Sequence, residues 1–350
     1  MSHRDMFPGG NTSNGFVNYF SGIFPDWEKT NRLYILKGGP GVGKNTFMKR
    51  IGKIAEDKNY LVEYFHCASD NESLDAVRIP ILGLTVVDGT APHIIDPKYP
   101  GAVDQIWNLG VFLNEKELGK RKKDVISYCS ENSFYYKLTF SYLHAAGSLS
   151  VSTYDIYRKA ISYAKMQSHV KDLFSSKSKG NYDGTNHFRH LFYSAITPSG
   201  QIDYAPSKPT KSQVLYLDGE VPIASEYLKL AYQMANDNGY HGEVFYSPLL
   251  PEEPLHINIQ ELDLSITTTK PLSTSSQSVA LSVFADTEFL ALYKENIAFQ
   301  EEQKNVLIDA AIRSLSSSKQ IHDNLESIYK ECIDFDKVTK YCDDRLMEIF

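Results

Sequence analysis

The sequence predicts an internally duplicated α/β protein: two copies of a parallel sheet with flanking helices, each copy carrying a helical hairpin. Three observations lead there. A short apolar run, a glycine-rich loop and a helical repeat follow one another at residues 33–55. The same order of segments returns about 180 residues later. Each copy then passes into a long stretch with apolar residues at helical spacing.

Composition sets the bounds. The chain has 350 residues, 42% of them hydrophobic and 23% charged, which excludes wholesale disorder. That length suits two domains, placed at 1–182 and 188–350. Lys and Arg number 36 against 43 Asp and Glu, a net charge of −7, which argues against a dedicated non-specific nucleic-acid binder. The longest strongly apolar stretch, Ile79–Val87, is broken by Pro80 and Gly83 and falls short of the ~18–20 residues that span a bilayer. The first ten residues lack the apolar core of a secretory signal. Cys67, Cys129, Cys332 and Cys342 form no C-x-x-C pair and read as free thiols. A cytoplasmic protein without a membrane span is the expectation.

Leu33–Lys37 reads as a short buried strand, Gly38–Gly43 as a loop, and Lys44 onward as a helix with Phe47, Ile51, Ile54 and Ala55 on one side. The spacing Gly38-x4-Gly43-Lys44 is the Walker A pattern of a phosphate-binding (P-) loop. Glycines let backbone amides turn inward without side-chain clashes. The amides then form an anion nest at a helix N-terminus, and the lysine reaches the β- and γ-phosphates. Gly38, Gly39, Pro40, Gly41, Val42, Gly43, Lys44, Asn45 and Thr46 are therefore the candidate nucleotide-binding residues. The competing reading is a Gly/Pro-rich surface turn before a helix. The residue after the lysine is ordinarily Ser or Thr, whose hydroxyl ligates Mg²⁺. Here it is Asn45, with Thr46 one place later. Nucleotide binding should survive this change, with Mg²⁺ affinity and hydrolysis weakened.

Two further strands follow, Tyr60–His66 and Leu82–Asp88. Asp88 ends its apolar run as a Walker B acid does and, with Asn45 and Thr46, is a candidate Mg²⁺ ligand. It can equally open an Asp-Gly turn. Gly89 stands where a water-activating carboxylate is usual, so Asp70 is a candidate substitute. Lys44, Asp88 and Asp70 are the candidate catalytic residues. His66 and His93 lack metal-ligand spacing, and polar contacts at strand ends suit them better.

In the second half, Ser212–Gly219 echoes Asn31–Gly38, Gly239–Ser247 echoes Asn59–Cys67, and Leu262–Thr268 occupies the place of Leu82–Asp88. Ser225 stands where Lys44 would, Thr268 where Asp88 would, and Glu220 brings a negative charge to the loop. This copy should bind no nucleotide by the standard loop. Residues 103–175 and 286–350 are the helical stretches, with a charged solvated segment at Glu115–Asp124. Each stretch is expected to fold into a hairpin projecting from its own core. The 23 tyrosines read mainly as core. Ser175–Gly184 is the best linker, and Pro206–Thr210 and Thr267–Ser278 read as loops.

Several of these segments carry a resemblance. Pro8–Ser13 with Gly15-Phe16, Lys37–Lys44, His66–Asp70, Ser73-Leu-Asp75, Asp88–His93 and Asp96–Asp104 resemble a family of uncharacterised bacterial P-loop ATPases found largely in Firmicutes. Its members carry two tandem P-loop halves, and the resemblance runs to Asp334–Val338. It implies a P-loop NTPase-like fold that binds ATP or GTP with Mg²⁺, and names no substrate. The family normally has Ser or Thr after the loop lysine and an intact second loop, so this sequence departs at Asn45 and at 219–227. Three functions stand side by side: a weak ATPase or nucleotide-dependent switch, a non-catalytic nucleotide-binding scaffold with a protein partner, and a small-molecule phosphotransferase.

Overall fold

The first half of the chain runs β1 (His3–Met6), β2 (Gly9–Thr12), β3 (Gly15–Asn18), β4 (Arg32–Lys37), α1 (Lys44–Asp57), β5 (Val62–Cys67), β6 (Asp70–Ile79), β7 (Leu84–Asp88), β8 (Asp104–Asn108), α2 (Glu115–Lys120), α3 (Lys122–Ala160) and α4 (Tyr163–Ser175). The second runs β9 (Phe188–Leu191), β10 (Ser194–Thr197), β11 (Gly200–Asp203), β12 (Gln213–Asp218), α5 (Val221–Asp237), β13 (Gly242–Tyr246), β14 (Pro254–Ile259), β15 (Leu264–Thr267), β16 (Gln277–Ala280), α6 (Thr287–Leu292), α7 (Lys294–Glu331) and α8 (Phe335–Ile349). These come from a computed structural model that describes residues 3–24, 30–91, 94–175, 188–205, 211–272 and 276–350. The sequence-derived boundary at 182/188, most of the Ser175–Gly184 linker and the Pro206–Thr210 loop lie outside the described residues.

Two six-stranded sheets form, ordered β1-β5-β6-β7-β4-β8 and β9-β13-β14-β15-β12-β16. The order is the same in both, so the duplication is structural as well as sequential. The expected parallel sheet is corrected to a mixed one. β6 runs antiparallel to β5 and β7, and β14 to β13 and β15, while the remaining neighbours are parallel. The reason is connection length. Only Ala68 and Ser69 separate β5 from β6, and a parallel crossover needs about a dozen residues or more.

β4 lies inside its sheet, and its alternate side chains feed two cores. Tyr34 and Leu36 join Phe47, Met48 and Ile51 of α1. Leu33 and Ile35 face the other way, into a core shared with Leu191, Tyr193 and Phe245 of the second half. The halves meet about a pseudo-twofold axis. Phe7 and its counterpart Phe192 exchange both backbone hydrogen bonds, at 2.8 and 3.0 Å. Beside them lies a buried charge cluster. Glu63 receives Arg4, Arg78 and Arg189. Its counterpart Glu243 receives Arg4 and Arg189, with Asn258 in the place of Arg78. The arginines hold both carboxyls ionised against burial, Glu63 far below the usual range and Glu243 at a pKa of about 2.

The expected hairpins do not form. α3 is one helix of 39 residues and α7 one of 38. They pair with each other, antiparallel. Asn132 meets Ser318 near one end of the pair, and Thr153 meets Gln300 near the other. At about 1.5 Å per residue each spans nearly 60 Å, far more than the 13-residue α4 can cover. Only a helix of equal length buries the seam. The short helices are exchanged instead. α4 places Met166, Val170 and Phe174 against Tyr227, Leu228 and Ala231 of α5. α8 places Val338, Cys342 and Leu346 against the apolar face of α1. Small bridges lock both crossings: Asn114 N donates to Cys332 O at 2.7 Å, and Asp286 N to Ala160 O at 2.9 Å. Among the described residues the strands stay with their own half, and no helix is long and apolar enough to cross a membrane.

Candidate functional site

The glycine loop sits between the end of β4 and the start of α1. Gly38, Gly41 and Gly43 take positive φ values of 146°, 72° and 100°, which side chains other than glycine rarely adopt. The first turn of α1, Lys44-Asn45-Thr46-Phe47, contains no acid and its N-cap is Gly43, so the helix amides face the loop uncompensated. Lys44 Nζ donates to Gly38 O at 2.7 Å and Gly39 O at 3.0 Å, and lies 3.5 Å from Asp88 Oδ2. Burial lowers its pKa, with Asp88 opposing. This meeting of Lys44 and Asp88 follows from β4 and β7 being parallel neighbours, with Leu36 paired to Asp88. Thr90 fixes the other oxygen, donating from N and Oγ1 to Asp88 Oδ1 at 2.9 and 2.6 Å.

A third group stands beside these two. The β5–β6 pairing skips Asp75: Phe65 pairs with Ala76, and His66 with Leu74. Such a bulge re-aims the extra side chain. Asp75 lies one residue beyond the last β6–β7 pair, Ala76–Val87, and so comes next to Asp88. Burial raises its pKa to about 7; the Cys67 thiol partly offsets this, while Asp88 and Asp70 add to it. Burial and Asp75 together push the Cys67 thiol far up. Asp70 lies farther along, accepting from Ser73 Oγ at 2.8 Å and facing Lys319 of α7 at 3.6 Å.

Asn45 has a different employment from the one its position suggests. Its Oδ1 accepts from Leu74 N at 3.2 Å, and its Nδ2 reaches Ser73 Oγ at 3.3 Å and Glu72 O at 3.4 Å. It ties α1 to β6. Thr46 is exposed at the helix start. His66 makes strand-end polar contacts, with Asp5 Oδ1 at 2.8 Å and Asn71 O at 3.1 Å. His93 lies outside the described residues. Among the described residues no group of three or more His, Cys, Asp or Glu side chains is arranged to hold a metal alone. The oxygen donor Asp88 nevertheless suits Mg²⁺, which commonly takes one or two carboxylates and completes its shell with phosphates and water.

The second half keeps the framework and carries other residues at the places of Lys44, Asp75 and Asp88. Gly219 has φ 145°, matching Gly38. Helix α5 then begins at Val221, so the stretch that forms an open loop in the first half is wound into helix. The equivalence of Ser225 with Lys44 is corrected by one residue. Tyr60 and Tyr240 donate to the fifth residue before them at matching helix ends. Counting back from them sets Ala224 against Lys44 and Ser225 against Asn45. Ser225 repeats the tie that Asn45 makes, donating to Glu253 Oε2 at 2.6 Å. The bulge is repeated too, since the β13–β14 pairing skips Leu255. A leucine thus occupies the Asp75 position, and Thr268 the Asp88 position.

Sequence reasoning missed Asp75 and the part played by α7. Tyr329, Lys330 and Glu326, from the half without a loop, lie on the loop of the other. A Cβ at Gly39 would meet Tyr329 Cε1 at 2.5 Å, and one at Gly41 would meet Glu326 O at 3.1 Å. A cavity of about 400 Å³ opens nearby, at the crossing of the chain between halves, lined in part by Phe112, Asn114, Glu331 and Lys337. Leu109 and Gly110 of the same turn abut Gly38. Comparison of the chain with protein-family models, curated proteins and solved structures finds no match.

Proposed function

We propose that the first half binds a nucleoside triphosphate, ATP or GTP, at Gly38–Lys44, as a P-loop protein with one working site, and turns it over slowly or uses it as a switch. One observation carries this reading: Lys44 and Asp88 converge at 3.5 Å beside a glycine loop and an uncompensated helix N-terminus. Phosphate oxygens arriving there would replace the Gly38 and Gly39 carbonyls as partners of the Lys44 ammonium. The seam cavity offers room for a base and ribose. Mg²⁺, held by Asp88 and the phosphates, would neutralise charge on the β- and γ-oxygens. In hydrolysis a water oxygen bonds to the γ-phosphorus. The bond to the bridging oxygen breaks, the nucleoside diphosphate leaves with its electrons, and the water's proton passes to a carboxylate. Asp75, with a pKa near neutrality, suits that last role. Because α7 runs from the second half onto this loop, a bound triphosphate can be felt in both halves.

Non-catalytic nucleotide binding is the second reading, favoured by the commitment of Asn45 to β6. Calorimetry of ATP, GTP and tripolyphosphate, with and without Mg²⁺, on the wild type and Lys44→Ala tests the shared claim. Micromolar ATP binding lost in Lys44→Ala is the expected result; no binding under any condition refutes both readings. Turnover that depends on Asp75 then favours the first.

A further inference from the structure

The helix lying on the glycine loop belongs to the half that has no such loop. On it, Lys330 is the cation nearest the loop crest. A Cβ at Gly41 would stand 3.1 Å from Lys330 Cγ and 3.2 Å from its Cε, so the lysine stem runs along the backbone there. Its ammonium is held 2.7 Å from Glu326, one helical turn back. Glu326 lies 3.6 Å from His322, and its charge acts on Lys44. Lys319, on the same helix, faces Asp70 instead. Lys330 lies eleven positions further on, about 16 Å along the helix, which puts Lys319 at the acidic end of the site rather than at the crest.

The counterpart in the other half is occupied. Tyr157 and Arg158 end α3 as Tyr329 and Lys330 end α7. Arg158 is bound by Glu226 at 3.0 Å, Glu253 at 2.6 Å and Asp155 at 3.1 Å. Glu253 also holds Ser225 and Lys229, so this arginine is built into the framework. Lys330, itself half-exposed, has no comparable net: among the described residues its partner is one carboxylate on its own helix.

We propose that Lys330 is a cation lent by the degenerate half to the working site, contacting the γ-phosphate of a triphosphate held in the Gly38–Lys44 loop. The inference rests on the nucleotide-binding reading. The ammonium exchanges Glu326 for a phosphate oxygen, a more highly charged partner, and Glu326 stays paired with His322. A diphosphate lacks the group that Lys330 touches. The contact therefore distinguishes triphosphate from diphosphate, and it draws the end of α7 toward the loop. The same role is filled in other phosphoryl-transfer sites by a cation supplied from a second domain or protein.

Calorimetry on the full chain with a β,γ-imido triphosphate analogue and with the diphosphate tests this without requiring turnover. Lys330→Ala should weaken the analogue about tenfold, equivalent to about 1.4 kcal/mol, and leave the diphosphate unchanged. Lys330→Arg should restore the preference, and Lys340→Ala, on an exposed lysine ten residues on and outside the cavity lining, should not alter it. An unchanged ratio in Lys330→Ala, or equal weakening of both ligands, overturns the proposal while leaving nucleotide binding intact. Failure of the wild type to bind either ligand overturns both, and is recognised by Lys44→Ala being indistinguishable from it.

Discussion

The two halves of this protein share strand order, a bulge at the same place in the sheet, and a long helix of nearly the same length. They differ at a handful of positions clustered at one end of the sheet. In the first half these are Gly38–Gly43, Lys44, Asp75 and Asp88; in the second, a helix that starts early, Ala224, Leu255 and Thr268. The framework is thus common to both halves, and the residues at that end of the sheet are not. Packing is satisfied by shape and polarity, so the second half keeps its cores without the loop. An anion site needs backbone amides turned inward and a lysine within reach, and losing either removes it. The second half remains necessary because it supplies α7 and α8, which cover the first half's loop and helix.

The comparison breaks most visibly at the seam. Glu63→Gln should destabilise the fold by about 3–5 kcal/mol in chemical denaturation, because it leaves three largely buried arginines short of a counter-charge. Glu243→Gln, with Asn258 in place of the third arginine, should cost less. Equal costs would mean that Arg78 adds nothing. Both carboxyls have pKa values below their unfolded ones, so their contribution is present above about pH 4.5 and lost as pH falls through the folded values. Acid unfolding should therefore move to higher pH in either variant.

Nucleotide affinity is the next largest effect. Lys44→Ala should weaken ATP by about 100-fold or more, some 2.7 kcal/mol. Glu220→Gln, in the second half's counterpart of the loop, should change nothing. A comparable loss in both would make the halves functionally alike. Asp75→Asn should lower ATP hydrolysis roughly 100-fold, the low end for a general base, and leave binding unchanged; an unaltered rate would leave Asp75 a buried acid without a task. The smallest effect is expected at Asn45. Asn45→Ser should cost about 1 kcal/mol in thermal unfolding through the lost Leu74 contact. It should also increase hydrolysis and its Mg²⁺ dependence by restoring a hydroxyl. A rate that does not change would dissociate Asn45 from turnover.

Much of the fold could be read from local pattern. β4, β5 and β7 announce themselves as apolar runs, α1 by its stripe of Phe47, Ile51 and Ala55, and the duplication by repeated order. β6 could not be read. Its first half, Asp70-Asn-Glu-Ser-Leu-Asp, has neither an apolar run nor clean alternation, because only Leu74 of it joins the core while the rest is polar and includes Asp70 and Asp75. Asp75 gained its meaning from a pairing register, which relates residues on separate strands. Ser225 was matched to Lys44 by counting along the chain; the shortened connection after Gly219 became visible only in the helix start.

By itself, the sequence determined which segments are strand, loop and helix near the glycine motif, and that the second copy lacks the lysine and the acid. Those are local facts, written in residue type and spacing. The tertiary structure decided the rest: which long helix buries which, that α4 and α8 change halves, and that Asp75 comes beside Asp88 and Lys330 beside Gly41. Apolar stripes on helices say that a partner is needed and do not say whose. Length and shape select the partner, and here each half finds it in the other.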